Sequence, residues 1–374
     1  MGGSRHSAVV RRQFFELLRS GLQGKSPDEA LFSQPVSWEA IYGIASEQTV
    51  VGNVVDGINL LPLKIMPTPE ELDLFLCDIF VVEKRNHQLN NFIPKLLSLA
   101  GKEEVWLIKG QGVARYHHQP MRRQPGDIDF LMTPDSYEKL RPVFLKKATK
   151  KEDEDPYILQ TGMMYGSIEV ELHGSLRTLI SPSFDRKLDK YLKDAFSAPA
   201  PDVVTIGETP VKLPSPQFNA FYLFTHILHH FWTGGVGLRQ IIDWALMLRK
   251  ERGRIDLDKL RSSLEDFGLM RQWVLFADFC EVKLGLSGLP FSTGKASGRI
   301  ERLSEDILRS GNFGKKKPQQ KSRSSMSRAK WLLYSFNRLV IKERLSKFLI
   351  FPMDSLCYAF GALSHSLRRK DRWK

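Results

Sequence analysis

The sequence lacks the features of a disulfide-rich, zinc-binding or membrane-spanning protein. Its 374 residues include three cysteines, Cys77, Cys280 and Cys357, which lie far apart and in no metal-ligand spacing. This excludes a disulfide framework and a cysteine-based zinc site. No run of roughly eighteen apolar residues is present, so no membrane-spanning helix is expected. Charged residues interrupt the N-terminal segment, so it does not resemble a signal peptide, and we expect a cytoplasmic protein.

Acidic residues are scarce at one end of the chain. The net charge is +13, and residues 315–374 hold 16 Lys or Arg against 3 Asp or Glu. The surplus of this segment therefore equals the net charge of the whole chain, and residues 1–314 are neutral. A basic tail on a neutral body predicts contact with an acidic surface at one end, rather than nucleic acid along the whole chain.

Hydrophobic residues make up 42% of the chain, which is enough for a sizeable core. Helical periodicity dominates both ends of the sequence and short strand-like runs lie between them, which predicts an α+β fold. The predicted parts are an N-terminal helical region over 1–100, an α+β core over 101–214, a helical region over 215–310, and a basic linker and tail over 311–374. Within the first part, Pro94 is expected to end or kink a helix that starts after Thr68.

The α+β core is predicted from short apolar or alternating runs. The predicted strands cover residues 104–108, 127–132, 157–160 and 167–173. A short helix is expected at 111–117 and a longer one at 136–147, with a charged turn at 150–155. Further along the chain, helices are predicted at 218–232 and 238–249.

Asp127 and Asp129 form the central motif of the second strand. Residues two apart on a strand share one face, so the two carboxylates project side by side while Ile128 and Phe130 face a core. In apolar surroundings such a pair needs a cation or a shared proton, and oxygen ligands suit magnesium, or manganese in its place. Gly126 would let a phosphate-bearing ligand approach the backbone. The alternative is that the pair lies on a solvated strand edge.

A third carboxylate has the same setting. Glu169, Glu171 and His173 alternate with apolar residues and share one face of the fourth strand. A neighbouring position in the sheet would bring Glu171 beside the aspartates, with Glu169 further off. Three carboxylates around two metal ions form a site for in-line phosphoryl transfer.

Three cations flank this motif. Lys109, Arg122 and Arg123 are expected to meet phosphate charge. His117 and His118, in the loop between them, are expected to be solvated.

Three histidines, His226, His229 and His230, lie in an aromatic helix ahead of Asp243. The spacing of four places His226 and His230 on one face, where they could bind a metal ion or line an acceptor pocket with Arg239 and Asp243. The alternative is that they are buried hydrogen-bonding groups of the core.

Together these motifs resemble a bacterial nucleotidyltransferase family of the superfamily that shares the DNA polymerase beta catalytic fold. The resemblance rests on residues 106–110, Tyr116, Pro120, Arg123, residues 126–132, residues 171–173, and the later helical element with His226, His230, Arg239 and Asp243. It covers roughly residues 35–250.

The resemblance implies transfer of a nucleoside monophosphate from a nucleoside triphosphate to an acceptor, with magnesium. It implies that the α+β core is a small mixed-sheet nucleotidyltransferase core. Its implied catalytic and metal-holding residues are Asp127, Asp129 and Glu171. Its implied nucleotide-binding residues are Lys109, Gly110, Arg123 and Gly126.

In one respect the chain departs from the family pattern. The wider superfamily has a Gly-Ser or Gly-Gly pair where this chain has residues 109–112, Lys-Gly-Gln-Gly. Triphosphate binding is then expected to run through Lys109 and backbone N–H groups, or to be weakened. The acceptor stays open among a small molecule, a glycan precursor and a protein.

Two other functions remain as alternatives. One is a non-catalytic nucleotide-binding or interaction protein on the same fold. The other is a metal-dependent phosphohydrolase that uses His226, His230 and Asp243.

The basic tail interleaves cations with an apolar stripe over residues 331–340 and an apolar block over 348–353. This pattern predicts a helix lying on an anionic membrane surface. Nucleic acid is a less favoured partner, and simple packing against neighbouring helices is the alternative.

Overall fold

The computed structural model describes residues 7–151, 156–178, 180–198, 201–312 and 345–368. Its α-helices are α1 (Ala8–Gln23), α2 (Trp38–Glu47), α3 (Val51–Ile58), α4 (Pro69–Ala100), α5 (Gly110–Ala114), α6 (Pro134–Lys147), α7 (Pro182–Phe196), α8 (Pro216–Thr233), α9 (Leu238–Lys250), α10 (Leu257–Asp266), α11 (Met270–Leu284), α12 (Gly298–Ser310), α13 (Leu345–Ile350) and α14 (Pro352–Arg368). Its strands are β1 (Trp106–Ile108), β2 (Ile128–Leu131), β3 (Lys150–Lys151), β4 (Gln160–Tyr165), β5 (Ile168–His173), β6 (Asp202–Ile206) and β7 (Thr209–Leu213).

Five strands form a mixed sheet in the order β1-β2-β5-β4-β3, and β6 and β7 form a separate antiparallel hairpin. Strands β2 and β5 run parallel, with Asp129 opposite Glu171, while β1 runs antiparallel to β2, with Ile108 opposite Asp129. This mixture of helices and a mixed sheet confirms the predicted α+β class.

Side-chain alternation gives the sheet two different faces. Leu107, Ile128, Phe130 and Leu172 pack in a core with α4 and α6. The residues between them on β1, β2 and β5 point the other way, towards the helices of the chain's C-terminal half. Asp129 is among them, so the period of two along each strand directs its carboxylate away from the first core.

Helix α4 is longer than the sequence predicted. Thr68 caps it by accepting a hydrogen bond from the Glu71 backbone N–H, and the Glu71 carboxylate accepts from the Thr68 N–H in return. Pro94, which was expected to end or kink this helix, does not end it, because the helix continues to Ala100. Buried residues on both sides of the proline, such as Leu89 and Leu96, stabilise the continuation by packing on the sheet.

The N-terminal helices share one hydrophobic core with the helices after residue 215. Gln48 joins the two parts: its side chain donates to the Ile307 carbonyl and accepts from the Leu238 N–H. The domain boundaries drawn from the sequence stay a prediction.

Two other expectations about the core need correction. Residues 157–159 form a turn, and β4 starts only at Gln160, because Thr161 and Met163 are the side chains that pack in the interior. Helix α7 and the β6–β7 hairpin were not predicted at all. The charged segment at 150–155 opens with the two-residue strand β3.

The C-terminal end is described from residue 345 to 368. Helix α13 lies against α12, and Ile350, Phe351 and Tyr358 are buried in the helical core. The predicted helix over 331–340 lies outside the described residues. Within the described ranges, no helix combines the length and hydropathy needed to cross a bilayer.

Candidate active site

A cavity of about 420 Å³ lies between the sheet and the helices α8 and α9. Its size is typical of small-molecule sites. The predicted residues Lys109, Gly110, Arg123, Gly126, Asp127, Asp129 and Glu171 all line it. The structure therefore brings together residues from β1, β2 and β5 and the loops beside them.

Asp129 lies at the centre of the acidic group and is 1% exposed. Its Oδ1 contacts the Lys109 ammonium at 2.6 Å and His173 Nε2 at 2.8 Å. Burial by itself would lower the pKa of Lys109, but the charge of Asp129, with Asp127 and Glu171 further off, raises it well above its usual value. Lys109 is therefore a cation that partly neutralises the carboxylates.

The backbone at Lys109 explains how this contact arises. Lys109 follows β1 directly, with φ 52° and ψ −150°, and a positive φ of this kind is rare for non-glycine residues. Gly110 follows with φ 37°, and a Cβ on it would lie 3.2 Å from the Asp127 carbonyl oxygen. Strain of this kind is characteristic of functional sites. Gly110 thus serves close backbone packing beside the aspartates.

Glu171 lies on β5 directly beside Asp129. Its Oε2 accepts from Gln160 at 2.8 Å and lies 3.2 Å from His173 Nε2. Burial opposes the charge of Glu171, but the hydrogen bond from His173 outweighs it and lowers the pKa of this carboxyl. Burial likewise opposes the charge of His173, yet the hydrogen bonds to Asp129 and Glu171 raise the pKa of its imidazole. Glu169 also lines the cavity.

Asp127 precedes β2 by one residue and is partly buried. Burial, with the charge of Asp129 next, raises the pKa of Asp127. Within the described residues Asp127 joins no ion pair, so it is the carboxylate of this group whose charge is least compensated.

Arg123 is placed differently from the phosphate-facing role predicted for it. Its guanidinium donates to both oxygens of Asp243, at 2.8 and 2.7 Å. His117 Nε2 lies 2.7 Å from the same carboxylate. The expectation that His117 is solvated is wrong, because this pairing holds it at 4% exposure. The nucleotide-binding role of Arg123 stays a prediction, with its guanidinium already bound to Asp243.

Arg122 lies outside the cavity, contrary to the expectation that it meets phosphate there. Its side chain bonds to Glu83 and Asp56 at 3.1 Å each. Consecutive residues of this loop thus face opposite directions, which the sequence could not show.

Helix α8 contributes the opposite wall of the cavity. Tyr222, His226 and His230 recur every four residues and so share one face. His226 and His230 are joined through their Nε2 atoms at 3.0 Å. Burial lowers the pKa of His226 well below its usual value and that of His230 to about 3, so both imidazoles are neutral at pH 7.

Two residues of the cavity were missed or undervalued in the sequence. Tyr222 was not singled out, although its position four residues before His226 would have placed it on the same helix face. His173 was noted only as sharing a face with Glu171, whereas it bonds to both Asp129 and Glu171.

The acidic group fits a divalent cation. One ligand atom from each of Asp129, Glu171 and His173 lies within 4.8 Å of the others. Asp127 adds a carboxylate with no ion pair in the described chain, and oxygen donors suit magnesium or manganese.

Comparison with known protein families gives one finding. Residues 34–285, about two thirds of the chain, match a family described as uncharacterised nucleotidyltransferase. Curated proteins and solved structures give no match. The matched segment contains β1, β2, β5, α8 and α9, and therefore every residue of the cavity described above. The chain belongs to this uncharacterised nucleotidyltransferase family.

Proposed function

We propose that this protein transfers a nucleoside monophosphate from a nucleoside triphosphate to an acceptor, with Asp127, Asp129 and Glu171 holding magnesium or manganese. The observation that carries the proposal is the convergence of these carboxylates with Lys109 in one cavity. In the reaction, an acceptor oxygen bonds to the α-phosphorus, the bond from that phosphorus to the bridging oxygen breaks, and pyrophosphate leaves. The acceptor loses its hydroxyl proton to water.

The chain's own residues would hold and orient the reactants. A bound divalent ion would supply charge stabilisation for the triphosphate and its leaving group. Lys109 holds Asp129 in place and reduces the repulsion among the carboxylates. His173 likewise holds Asp129 and Glu171 in place and reduces the repulsion between them. This support preorganises the carboxylates before the substrate enters.

The face of α8 is the proposed acceptor side of the cavity. Tyr222 lines the same cavity as Lys109 and the three carboxylates. From there to His230 a helix rises about 12 Å. The neutral imidazoles of His226 and His230 would offer hydrogen bonds to an acceptor without adding charge.

Labelled substrate tests the proposal. The protein is incubated with each α-labelled nucleoside triphosphate and magnesium, with and without cell extract, and mass spectrometry identifies any protein or metabolite that gains a nucleotide. Transfer by the natural chain but not by Asp129→Asn is expected. Equal transfer by both would overturn the assignment.

A nucleotide-binding protein without catalysis is the second candidate. Lys109 occupies Asp129 Oδ1, which a metal ion would also use. Manganese binding, followed by electron paramagnetic resonance without any substrate, separates the two. Binding that Asp129→Asn abolishes supports catalysis, while no binding by either form supports the second candidate.

The phosphohydrolase alternative is less well supported. It requires Asp243 to act with His226 and His230, but Asp243 bonds to Arg123 and His117 instead. The two histidines bond to each other.

We also propose that the C-terminal end contacts an anionic membrane peripherally. Phe348, Met353, Leu356 and Phe360 on α13 and α14 are exposed apolar side chains, with Phe360 at 70% exposure. They lie within residues 315–374, the segment that carries the positive surplus of the sequence. Apolar side chains beside cations suit the interface of an anionic bilayer.

A further inference from the structure

Arg239 is a buried cation that joins no ion pair with any described residue. It is 7% exposed, it lines the cavity, and within the described chain it joins no ion pair with a carboxylate. Its Nη1 donates to the Gln124 carbonyl at 2.8 Å, and its Nε has no hydrogen-bond partner among the described protein atoms. A buried charge without an ion pair destabilises the fold unless a ligand supplies the missing partner.

The nearest candidates for pairing are engaged or held apart. Asp243 lies on the same helix, but Arg123 and His117 take its carboxylate. Asp127 influences Arg239 through its charge without forming an ion pair with it. Within the described chain, the cavity therefore contains a carboxylate and a guanidinium that each join no ion pair.

Gly126 separates these two groups. Both terminal nitrogens of Arg239 lie 3.9 Å from the position that a Cβ on Gly126 would take. Gly126 is exposed, so a ligand can reach the guanidinium and the backbone beside Asp127 at the same point. Burial and the neighbouring Arg123 lower the pKa of Arg239 to about 10, and a bound anion would reverse this effect.

We infer that Arg239 binds a phosphate group of the substrate's polyphosphate chain, seated over Gly126 next to Asp127. This inference rests on the proposed function. It assigns to Arg239 the nucleotide-binding role that was predicted for Arg123. Guanidinium groups donate paired hydrogen bonds that match phosphate oxygens. Arg123 then remains paired with Asp243.

The test measures binding without metal or turnover. Inorganic triphosphate is titrated into the full chain in the presence of a chelator, and the dissociation constant is measured by calorimetry. Arg239→Gln should weaken binding by about tenfold or more, since a hydrogen bond to a charged group is lost. Arg239→Lys should weaken triphosphate binding less than Arg239→Gln does. Arg249→Gln, an exposed charge change on the same helix, should stay within about twofold.

A second variant gives a readout that a structural role would not produce. Asp127→Asn removes a carboxylate next to the proposed phosphate position, so it should strengthen the metal-free binding of triphosphate. Thermal unfolding of Arg239→Gln checks that the variant remains folded.

Three results would overturn the inference. The first is that triphosphate does not bind to the natural chain, and the second is that Arg239→Gln binds triphosphate within about twofold of the natural chain. The third is that glycerol phosphate binds more tightly than triphosphate, which would assign the anion to the acceptor. Because the assay needs no metal, loss of catalysis in Asp129→Asn with unchanged binding in Arg239→Gln would refute this inference and leave the proposed function standing.

Discussion

Asp127 and Asp129 differ sharply in their surroundings although they are two residues apart. Asp129 is paired with Lys109 and His173, while Asp127 has no ion pair in the described chain. We expect Asp127→Asn and Asp129→Asn each to lower nucleotidyl transfer by orders of magnitude, because each removes a carboxylate proposed to hold the metal ion. Steady-state assays of the two variants check this expectation. Near-normal turnover in either variant would contradict its role.

The same two variants should differ in stability. Asp129→Asn leaves the Lys109 ammonium without its partner and should cost about 3 kcal/mol in the free energy of unfolding. Asp127→Asn should raise the melting temperature at pH 7. Because the folded state raises the pKa of Asp127, its ionisation destabilises the fold as the pH rises above its usual value of 3.8. The gain should therefore shrink towards acid pH, as calorimetry over a pH series would show.

Asp243 is predicted to be the most important carboxylate for stability. Arg123 and His117 overcome the effect of burial and hold the pKa of Asp243 well below its usual range. The Asp243 carboxylate therefore stabilises the fold at pH values above its usual pKa, and this stabilisation is lost as the pH falls through the lowered pKa. Asp243→Asn should cost about 3–5 kcal/mol at pH 7, measured by urea unfolding.

The control for this prediction is Asp189→Asn. Asp189 pairs with Arg177 at 2.8 Å in a partly exposed position, so its loss should cost less than about 1 kcal/mol. Equal costs for the two variants would show that burial of the Asp243 pair has no special effect.

At the scale of elements, helices α1 and α3 approach each other through glycine. A Cβ on Gly57 would overlap the Leu17 carbonyl, and one on Gly21 would overlap the Asn53 carbonyl. Gly57→Ala should therefore force the helices apart and cost roughly 1–3 kcal/mol, measured by denaturant unfolding.

Gly43 in α2 is the matched control. A Cβ there meets nothing within 4 Å, so Gly43→Ala should stabilise the protein by roughly 0.5–1 kcal/mol through helix propensity. A stabilising Gly57→Ala would show that the two helices can separate without cost.

At the scale of the whole molecule, the C-terminal helices connect the body to the proposed membrane surface. Lys347 of α13 donates to the Phe231 carbonyl near the end of α8, so this region also packs on the helix that bears the histidines. Truncation would disturb that packing. We therefore propose point changes on the exposed face as the sharper test.

Replacing Met353 and Phe360 together by serine should lower retention on anionic liposomes several-fold, because it removes exposed apolar contacts with the bilayer. The melting temperature should not change. Val203→Ser, at a 58% exposed apolar position on the β6–β7 hairpin, should leave retention unchanged. Flotation with anionic and neutral liposomes is the measurement. If neither anionic nor neutral liposomes retain the natural chain, the proposed membrane contact is refuted.

Local pattern in the sequence was enough to predict part of this protein. The period of two around Asp127, Asp129 and Glu171 predicted that they would face one side, and the α+β class followed from the change between helical and strand periodicity. Pro94 does not end α4, because packing along the long helix outweighs the local preference of proline against a helix interior. Helix α7 and the β6–β7 hairpin have weaker patterns and were missed.

The sequence by itself determined the fold class and the acidic motifs, because side-chain periodicity and charge spacing are local properties. Only the tertiary structure decided which charges are neutralised. Asp243 pairs with Arg123, whereas Arg239 joins no ion pair within the described chain. Lys109 and Asp129 are twenty residues apart and meet because β1 and β2 are neighbours in the sheet. Such pairings depend on distances across the fold, which no local pattern encodes.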